Sequence, residues 1–300
     1  MKNDHKRVLG RTSNTLREVI RALPDSPGVY LFYAQSGELL YVGKSKTIRS
    51  RVRAHFGMPE EKRMCRQVRH IEVRKTAGEL GALLLESQLI KELHPFYNRL
   101  SRHKRRIILA CRVLTTAGYF KVTLEAVSQI DTAKTNDILG IFKTKLQARD
   151  FLSASAKTHR LCLNLLGLEH SKRSCFSYHL HQCNGACVGL ELPDLYNHRL
   201  EQAFEERRIK AWPFQGAVII EERSEDGTEG EVFVVDNWCL LYSFSYSHEK
   251  HHLKVRGLHR FDYDSYRIIA GYVFTESNRQ HIRPASKEEI ATLIRQGQAA

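Results

Sequence analysis

The apolar positions of this chain change period several times, and each change predicts an element. Leu16, Val19, Ile20 and Leu23 recur at helical spacing after a Thr-Ser-Asn cluster able to cap, which predicts a short amphipathic helix ending before Pro24. Pro27-Gly28 then opens a strand, Val29 to Tyr33. Ser36-Gly37 marks a turn and Leu39 to Val42 a second strand, so the two form an antiparallel hairpin. Ile48, Val52 and Phe56 repeat every four residues and predict a helix, with Ser45 placed to cap it. A helix around Met64–Val68, a strand Ile71–Val73 and a strongly apolar helix Glu79–Leu93 stopped by Pro95 complete a compact α+β unit within residues 24–100.

Beyond residue 100 the pattern is looser. Residues 101–106 read as a charged linker, Ile107–Leu114 and Tyr119–Ala126 as strands, and Lys145–Thr158 as a helix leading to a cysteine-rich stretch, 162–187. A charged helix follows around Tyr196–Ile209. Val218–Glu222 and Val232–Val235 pair across the Asp226-Gly227 turn, and strand Cys239–Tyr246 leads to a His/Lys-rich loop with His248, His251, His252 and His259. That loop reads as solvated or DNA-facing. Tyr263–Phe274 reads as a helix. Phe233, Trp238, Tyr242, Phe244 and Tyr246 have the alternation of a sheet core, with base stacking the alternative. Residues 1–11 are polar, basic and expected to be disordered. The expected division is an extension (1–23), the α+β unit (24–100), a region holding four cysteines (101–200) and a C-terminal α+β domain (201–300).

Charge sharpens this division. Of the formal net charge of +14, residues 1–110 carry 23 Lys/Arg against 10 Asp/Glu, whereas residues 111–300 carry 24 against 23. A cationic excess gathered in the first third suits a polyanion such as nucleic acid. No Lys-rich helix with an aromatic face, secretory signal or bilayer-length apolar run supports a membrane role, so a cytoplasmic location is expected. In a reducing compartment, clustered cysteines among the seven point to metal or redox chemistry rather than disulfides.

Hydrolysis of a phosphodiester needs a water, a base beside it and positive charge for the phosphorane. Tyr30 and Tyr41, on neighbouring strands, can converge on one site, and Lys44 just past the second strand can lower a phenol's pKa. Arg51, from the first turns of the next helix, can clamp a phosphate, and His55 shares its face; Lys46, Arg49 and Arg53 are candidate DNA contacts. Glu86 stands among Ala82, Leu83, Leu89 and Ile90 on an apolar helix face, costly for a carboxylate unless it is paired or holds a cation such as Mg²⁺ or Mn²⁺. Asn98, past the Pro95 stop, can bond back into the site. Farther on, Cys162, Cys175, Cys183 and Cys187 provide four soft ligands in one loop-rich stretch. Their spacing suits tetrahedral Zn²⁺ or an iron–sulfur cluster without choosing between them. His179 and His181 nearby read as surface residues, and Cys65, Cys111 and Cys239 as isolated.

Gly28-Val29-Tyr30, Tyr41-Val42-Gly43-Lys44, Arg51, Glu86 and Asn98 together resemble the GIY-YIG nuclease superfamily, and more narrowly the N-terminal domain of UvrC. The stretches PGVYLF, LYVGKSKTIRSRVRAHF and ALLLESQLIKELHPFYN and the cysteine block carry this likeness over roughly residues 24–200. It implies a small antiparallel sheet flanked by helices and a metal-dependent endonuclease. Tyr41 (or Tyr30) would be the general base, Lys44 its modulator, Arg51 a phosphate ligand, Glu86 the protein metal ligand and Asn98 a supporting residue. His55 departs from the tyrosine usual in UvrC. A [4Fe–4S] cluster is implied for the four cysteines, with Zn²⁺ the alternative. Residues 200–300 are too short for the second nuclease domain and helix-hairpin-helix motifs of UvrC, so a short homologue is expected. The implied role is 3′ incision in nucleotide excision repair, on damaged double-stranded DNA held by UvrA and UvrB. A GIY-YIG nuclease of other DNA structures and a catalytically silent binding module are the competing readings.

Overall fold

The computed structural model describes residues 7–9, 13–98, 107–127, 137–171, 173–247, 250–256 and 261–298. The charged linker 101–106, His248 and His259 lie outside them. The chain divides into two units, residues 1–103 with 212–300, and residues 104–211.

In the first unit, strands β1 (Arg7–Leu9), β2 (Gly28–Tyr33), β3 (Leu39–Ser45) and β4 (His70–Lys75) form an antiparallel sheet in the order β1-β4-β2-β3. Strand β1 corrects the expectation of disorder before residue 12: Arg7, Val8 and Leu9 pair with Glu72, Ile71 and His70 of β4. Helices α1 (Ser13–Ala22), α2 (Ile48–Gly57) and α3 (Lys62–Cys65) cover one face, packing Val19, Leu23, Ile48, Val52 and Met64 on Tyr30, Phe32 and Ile71. Helix α4 (Glu79–Leu93) covers the other, packing Leu89 and Ile90 on Val29, Leu31 and Val42. With side chains alternating across a strand, a β2 buried on both faces must be apolar at every inward position. Its sequence GVYLFY meets that demand.

The cap assigned to Ser45 needs correction. Thr47 precedes α2, and the Ser45 hydroxyl closes a local turn, accepting from Thr47 N and donating to Thr47 O.

The same unit contains the C-terminal segment. Strands β8 (Val218–Arg223), β9 (Glu229–Asp236), β10 (Cys239–Ser247), β11 (Lys250–Arg256) and β12 (Ile282–Pro284) form a second antiparallel sheet in the order β11-β10-β9-β8-β12. Helices α8 (Tyr263–Val273) and α9 (Lys287–Gln298) accompany it, α9 packing Leu293 against Ile219 and Phe244. The expected His/Lys-rich loop is in part strand β11, in which His251 and His252 pair with Tyr246 and Ser245. Phe233 and Phe244 are buried in the sheet, and Trp238, in the turn between β9 and β10, is buried against Tyr266 and Phe274, so these three are core rather than stacking platforms.

The second unit holds β5 (Ile107–Leu114), β6 (Phe120–Val127) and β7 (Ile138–Phe142), in the order β6-β5-β7. It also holds α5 (Lys145–Thr158), the short α6 (Phe176–His179) and α7 (Pro193–Ala203). The helix expected to reach Ile209 stops at Ala203 and continues only as a 3-10 turn, Glu205–Arg207. The core packs Leu139, Phe142, Leu152, Tyr196 and Phe204 with Cys162, Cys175 and Cys183. Among the described residues no helix is long and apolar enough to cross a membrane.

Candidate active site

The register of the β2–β3 hairpin sets the site. Tyr30 faces Gly43 and Phe32 faces Tyr41, so the two tyrosines stand diagonally on one sheet face, ring centroids 6.2 Å apart. Gly43 leaves the room they need: a Cβ there would lie 2.5 Å from the Tyr30 hydroxyl and 2.7 Å from Tyr41 Cε1. Tyr30 is 1% exposed, whereas Tyr41 is only partly buried. Burial holds both phenols above their ordinary range, and at each ring the charge of Arg51 counters the rise. Arg51 itself is exposed, one turn into α2.

Strand β3 is a sheet edge, so some of its backbone groups need partners from elsewhere. Asn98 is buried and supplies two, accepting from Val42 N at 2.9 Å and donating to Val42 O at 2.8 Å. Phe96 N and Tyr97 N donate to Leu39 O and Leu40 O. Glu86 supplies the next, its Oε1 accepting from Lys44 N at 3.0 Å. Burial pushes the Glu86 carboxyl up, against the Lys44 amide and the Lys44 and Arg51 charges, which pull it down.

Lys44 has a carboxylate partner that the sequence did not single out. Its Nζ lies 2.9 Å from Glu79 Oε1, and Lys46 Nζ lies 2.7 Å from Glu79 Oε2. Glu79, in the first turn of α4, thus collects both lysines, and its pKa is lowered chiefly by the bond from Lys46. Arg49 donates Nε to Leu23 O at 2.7 Å, while Arg53 is exposed.

His55 is fully buried beneath the tyrosines. Its Nε2 lies 2.5 Å from the Tyr30 hydroxyl, and its Nδ1 bonds the Glu61 carboxylate. Its ring centroid is 5.3 Å from that of Tyr41. Burial lowers the imidazole pKa while Glu61 raises it. Sequence reasoning missed Glu61 and Glu79. Neither stands on an apolar stripe; Glu61 lies six positions after His55, whereas Glu79 is more than thirty positions from the lysines it pairs with and leaves no local signal.

In the second unit, Sγ atoms of Cys162, Cys175 and Cys187 lie within 4.8 Å of one another. Cys183 interacts with Cys162 and Cys175, and its pKa is lowered by the Cys162 thiol and by the amides of Gly185 and Ala186. Backbone N–H groups of Cys175 and Gly185 lie 3.4 Å from the sulfurs of Cys187 and Cys183. The buried Tyr196 hydroxyl has no hydrogen-bond partner among the described residues and is influenced by Cys162 and Cys183. His179 bonds Ser174 and His181 is exposed.

Residues 26–99 match the UvrC-like GIY-YIG domain, residues 114–206 the UvrC/Cho excinuclease middle domain, and residues 217–289 the excinuclease Cho C-terminal domain. Fold and matches together define a GIY-YIG endonuclease. Excinuclease cho of Escherichia coli (strain K12) is 37% identical over 257 residues, 85% of this chain and 84% of that protein. UvrABC system protein C of Carboxydothermus hydrogenoformans is 33% identical over 194 residues, 58% of this chain and 29% of that protein. The GIY-YIG N-terminal endonuclease domain of UvrC from Thermotoga maritima, solved bound to magnesium, is 30% identical and covers 29% of this chain and 99% of that one, with a TM-score of 0.27. The chain belongs to the UvrC/Cho excinuclease family of DNA-repair endonucleases.

Proposed function

We propose that the chain makes the 3′ incision at a lesion in double-stranded DNA presented by UvrA and UvrB, hydrolysing one phosphodiester. The observation that carries the reading is the Tyr30–Tyr41 pair on one sheet face with the Glu86 carboxylate anchored on the end of β3, where the charge of Arg51 acts on all three groups. Arg51 is the clamp for the scissile phosphate, because a planar guanidinium donates to two phosphate oxygens at once. Tyr41 meets the attacking water, since Tyr30 is too buried to reach it. Asn98 and Glu86 fix the β3 edge that carries Tyr41. Lys46, Arg49 and Arg53 line the approach of the duplex.

The donor chemistry at Glu86 suits a hard cation: one carboxylate oxygen is anchored on a backbone amide, and the group sits where an unpaired charge is costly. Mg²⁺ or Mn²⁺ bound there supplies positive charge to the phosphoryl oxygens. For the four cysteines the fit is also good, with thiols converging, amides aimed at two sulfurs and a buried phenol unpaired beside them. Cys162, Cys175, Cys183 and Cys187 would hold a [4Fe–4S] cluster, or Zn²⁺, as the brace of a loop-rich unit.

The test is incision of a lesion-bearing duplex with and without UvrA and UvrB. Cutting that needs both, and that Glu86→Ala or Arg51→Ala abolishes while DNA binding is kept, is the expected result. Cutting by Glu86→Ala in the presence of metal rejects the site. For the cysteines, visible absorbance of anaerobically purified protein is expected, whereas a colourless protein containing zinc would decide against the cluster.

A further inference from the structure

The tyrosine pair continues beneath into two polar groups, His55 and Glu61, that the incision reading leaves unused. The order is Tyr41, Tyr30, His55 and Glu61. Tyr41 stands beside Tyr30 on the same sheet face, ring centroids 6.2 Å apart, Tyr30 lies 2.5 Å from His55 Nε2, and His55 Nδ1 meets Glu61. Glu61 ends the turn Pro59–Glu61, which reverses the chain after α2 and is held by Met58 N donating to His55 O and Glu61 N to Met58 O. The Cys65 thiol donates to the His55 carbonyl as well, at 3.3 Å. The ring is thus fixed from both sides of the turn.

The donors follow from the partners. An ionised carboxylate only accepts, so His55 Nδ1 carries the hydrogen. In neutral imidazole Nε2 is then an acceptor, and the Tyr30 hydroxyl donates to it.

We infer that Glu61 is a positioning residue of the incision site: by taking the Nδ1–H of His55 it leaves Nε2 to receive the proton that the tyrosine pair releases when water attacks. This rests on the incision reading above. A phenol held above its ordinary range is neutral near pH 7 and can accept a proton only as it gives up its own. The water oxygen bonds to phosphorus and its proton passes to Tyr41, the Tyr41 proton to Tyr30, and the Tyr30 proton to His55 Nε2. One ester P–O bond breaks, and the leaving oxygen takes a proton from solvent. The imidazolium so formed is paired with Glu61 until the proton returns along the chain.

The charged and titratable groups facing His55 are Tyr30 from β2, Tyr41 from β3, Arg51 one turn earlier on α2, Glu61 from the turn and Cys65 from α3. Glu61 raises the imidazole pKa, and Arg51 and burial lower it. Glu61→Gln keeps a hydrogen-bond acceptor but removes the charge.

The experiment is single-turnover incision across pH by the full chain, alongside DNA affinity. Glu61→Gln is expected to cut roughly tenfold or more slowly with affinity unchanged. The acid limb of its rate profile should move to lower pH, because the working imidazole is the neutral form and loses the charge that favoured its protonation. A normal rate, or a slow rate with the acid limb unmoved, overturns the inference. A second measurement needs no stable Glu61 variant. With ¹⁵N-histidine label, the His55 signal, identified by its loss in His55→Tyr, should report the Nδ1–H tautomer at pH 7; the Nε2–H tautomer overturns the inference. Glu86→Ala separates the levels. If it still cuts, the incision site is misread; if it is inert while Glu61→Gln is normal, only the role of Glu61 falls.

Discussion

Glu86 combines two demands that pull against each other. Its folded pKa is raised by burial, so the stabilising contribution is fully present below the ordinary glutamate range and is lost as pH rises through the folded value. At neutral pH the ionised carboxylate therefore weakens the fold in exchange for a site able to bind a cation. Glu86→Gln keeps an oxygen for Lys44 N but discards the charge. Its unfolding midpoint at pH 7 in a chelator should match or exceed that of the parent, while incision falls at least about a hundredfold. A midpoint well below the parent's would show that the charge is structural. This residue was legible from sequence because its helical neighbours are apolar. Glu61 was not, because a carboxylate in a polar turn has the same appearance whether it solvates the surface or orients a buried ring. Lys44 shows the same limit: chain proximity to Tyr41 does not reveal that its ammonium is paired with Glu79.

Helix α4 carries Glu86, and what positions this helix comes from far along the chain. The residue before its first turn is Gly78, which has no side chain to cap with. Glu222 of β8 takes that role, its carboxylate accepting from Leu80 N at 2.9 Å and Gly81 N at 2.8 Å. Glu231 of β9 accepts from Ala77 N at 3.2 Å and comes so close that a Cβ on Gly81 would lie 2.0 Å from it. At the last turn Lys91 bonds Asp262, the cap of α8, at 2.6 Å. The C-terminal segment thus grips both ends of the helix that bears Glu86. Glu222→Ala leaves two helix N–H groups without their acceptor and should cost about 1–3 kcal/mol. Urea unfolding with an unchanged midpoint would contradict this. Sequence periodicity revealed α4 and most strands of both sheets, since half-buried elements repeat at 2 or 3.6. It did not reveal β7, β11 or α9: Ile138–Phe142 is a five-residue apolar run too short to choose a type, and His251 and His252 hid a strand behind polar composition. A cap supplied from a strand far along the sequence leaves no local pattern at all.

Over the whole molecule the cationic excess of residues 1–110 is a sum, and the structure shows that its members are not equivalent. Lys46 is already paired with Glu79 at 2.7 Å, and Arg49 donates to the Leu23 carbonyl, whereas Arg53 is exposed. An arginine that neutralises a phosphate releases a counterion, and each such contact contributes about −0.9 to the slope of log affinity against log salt. A lysine that must leave a carboxylate to do so releases less, because Glu79 then regains an ion of its own. Arg53→Ala should therefore weaken binding to undamaged and lesion-bearing duplex alike and reduce the slope by about one. Lys46→Ala should change it by clearly less than that. Titrations of both variants at several salt concentrations decide the matter. Equal slope changes for the two would mean that the Glu79 pair opens at no cost when DNA arrives, and that the charge of the first third acts as a uniform field rather than through particular side chains.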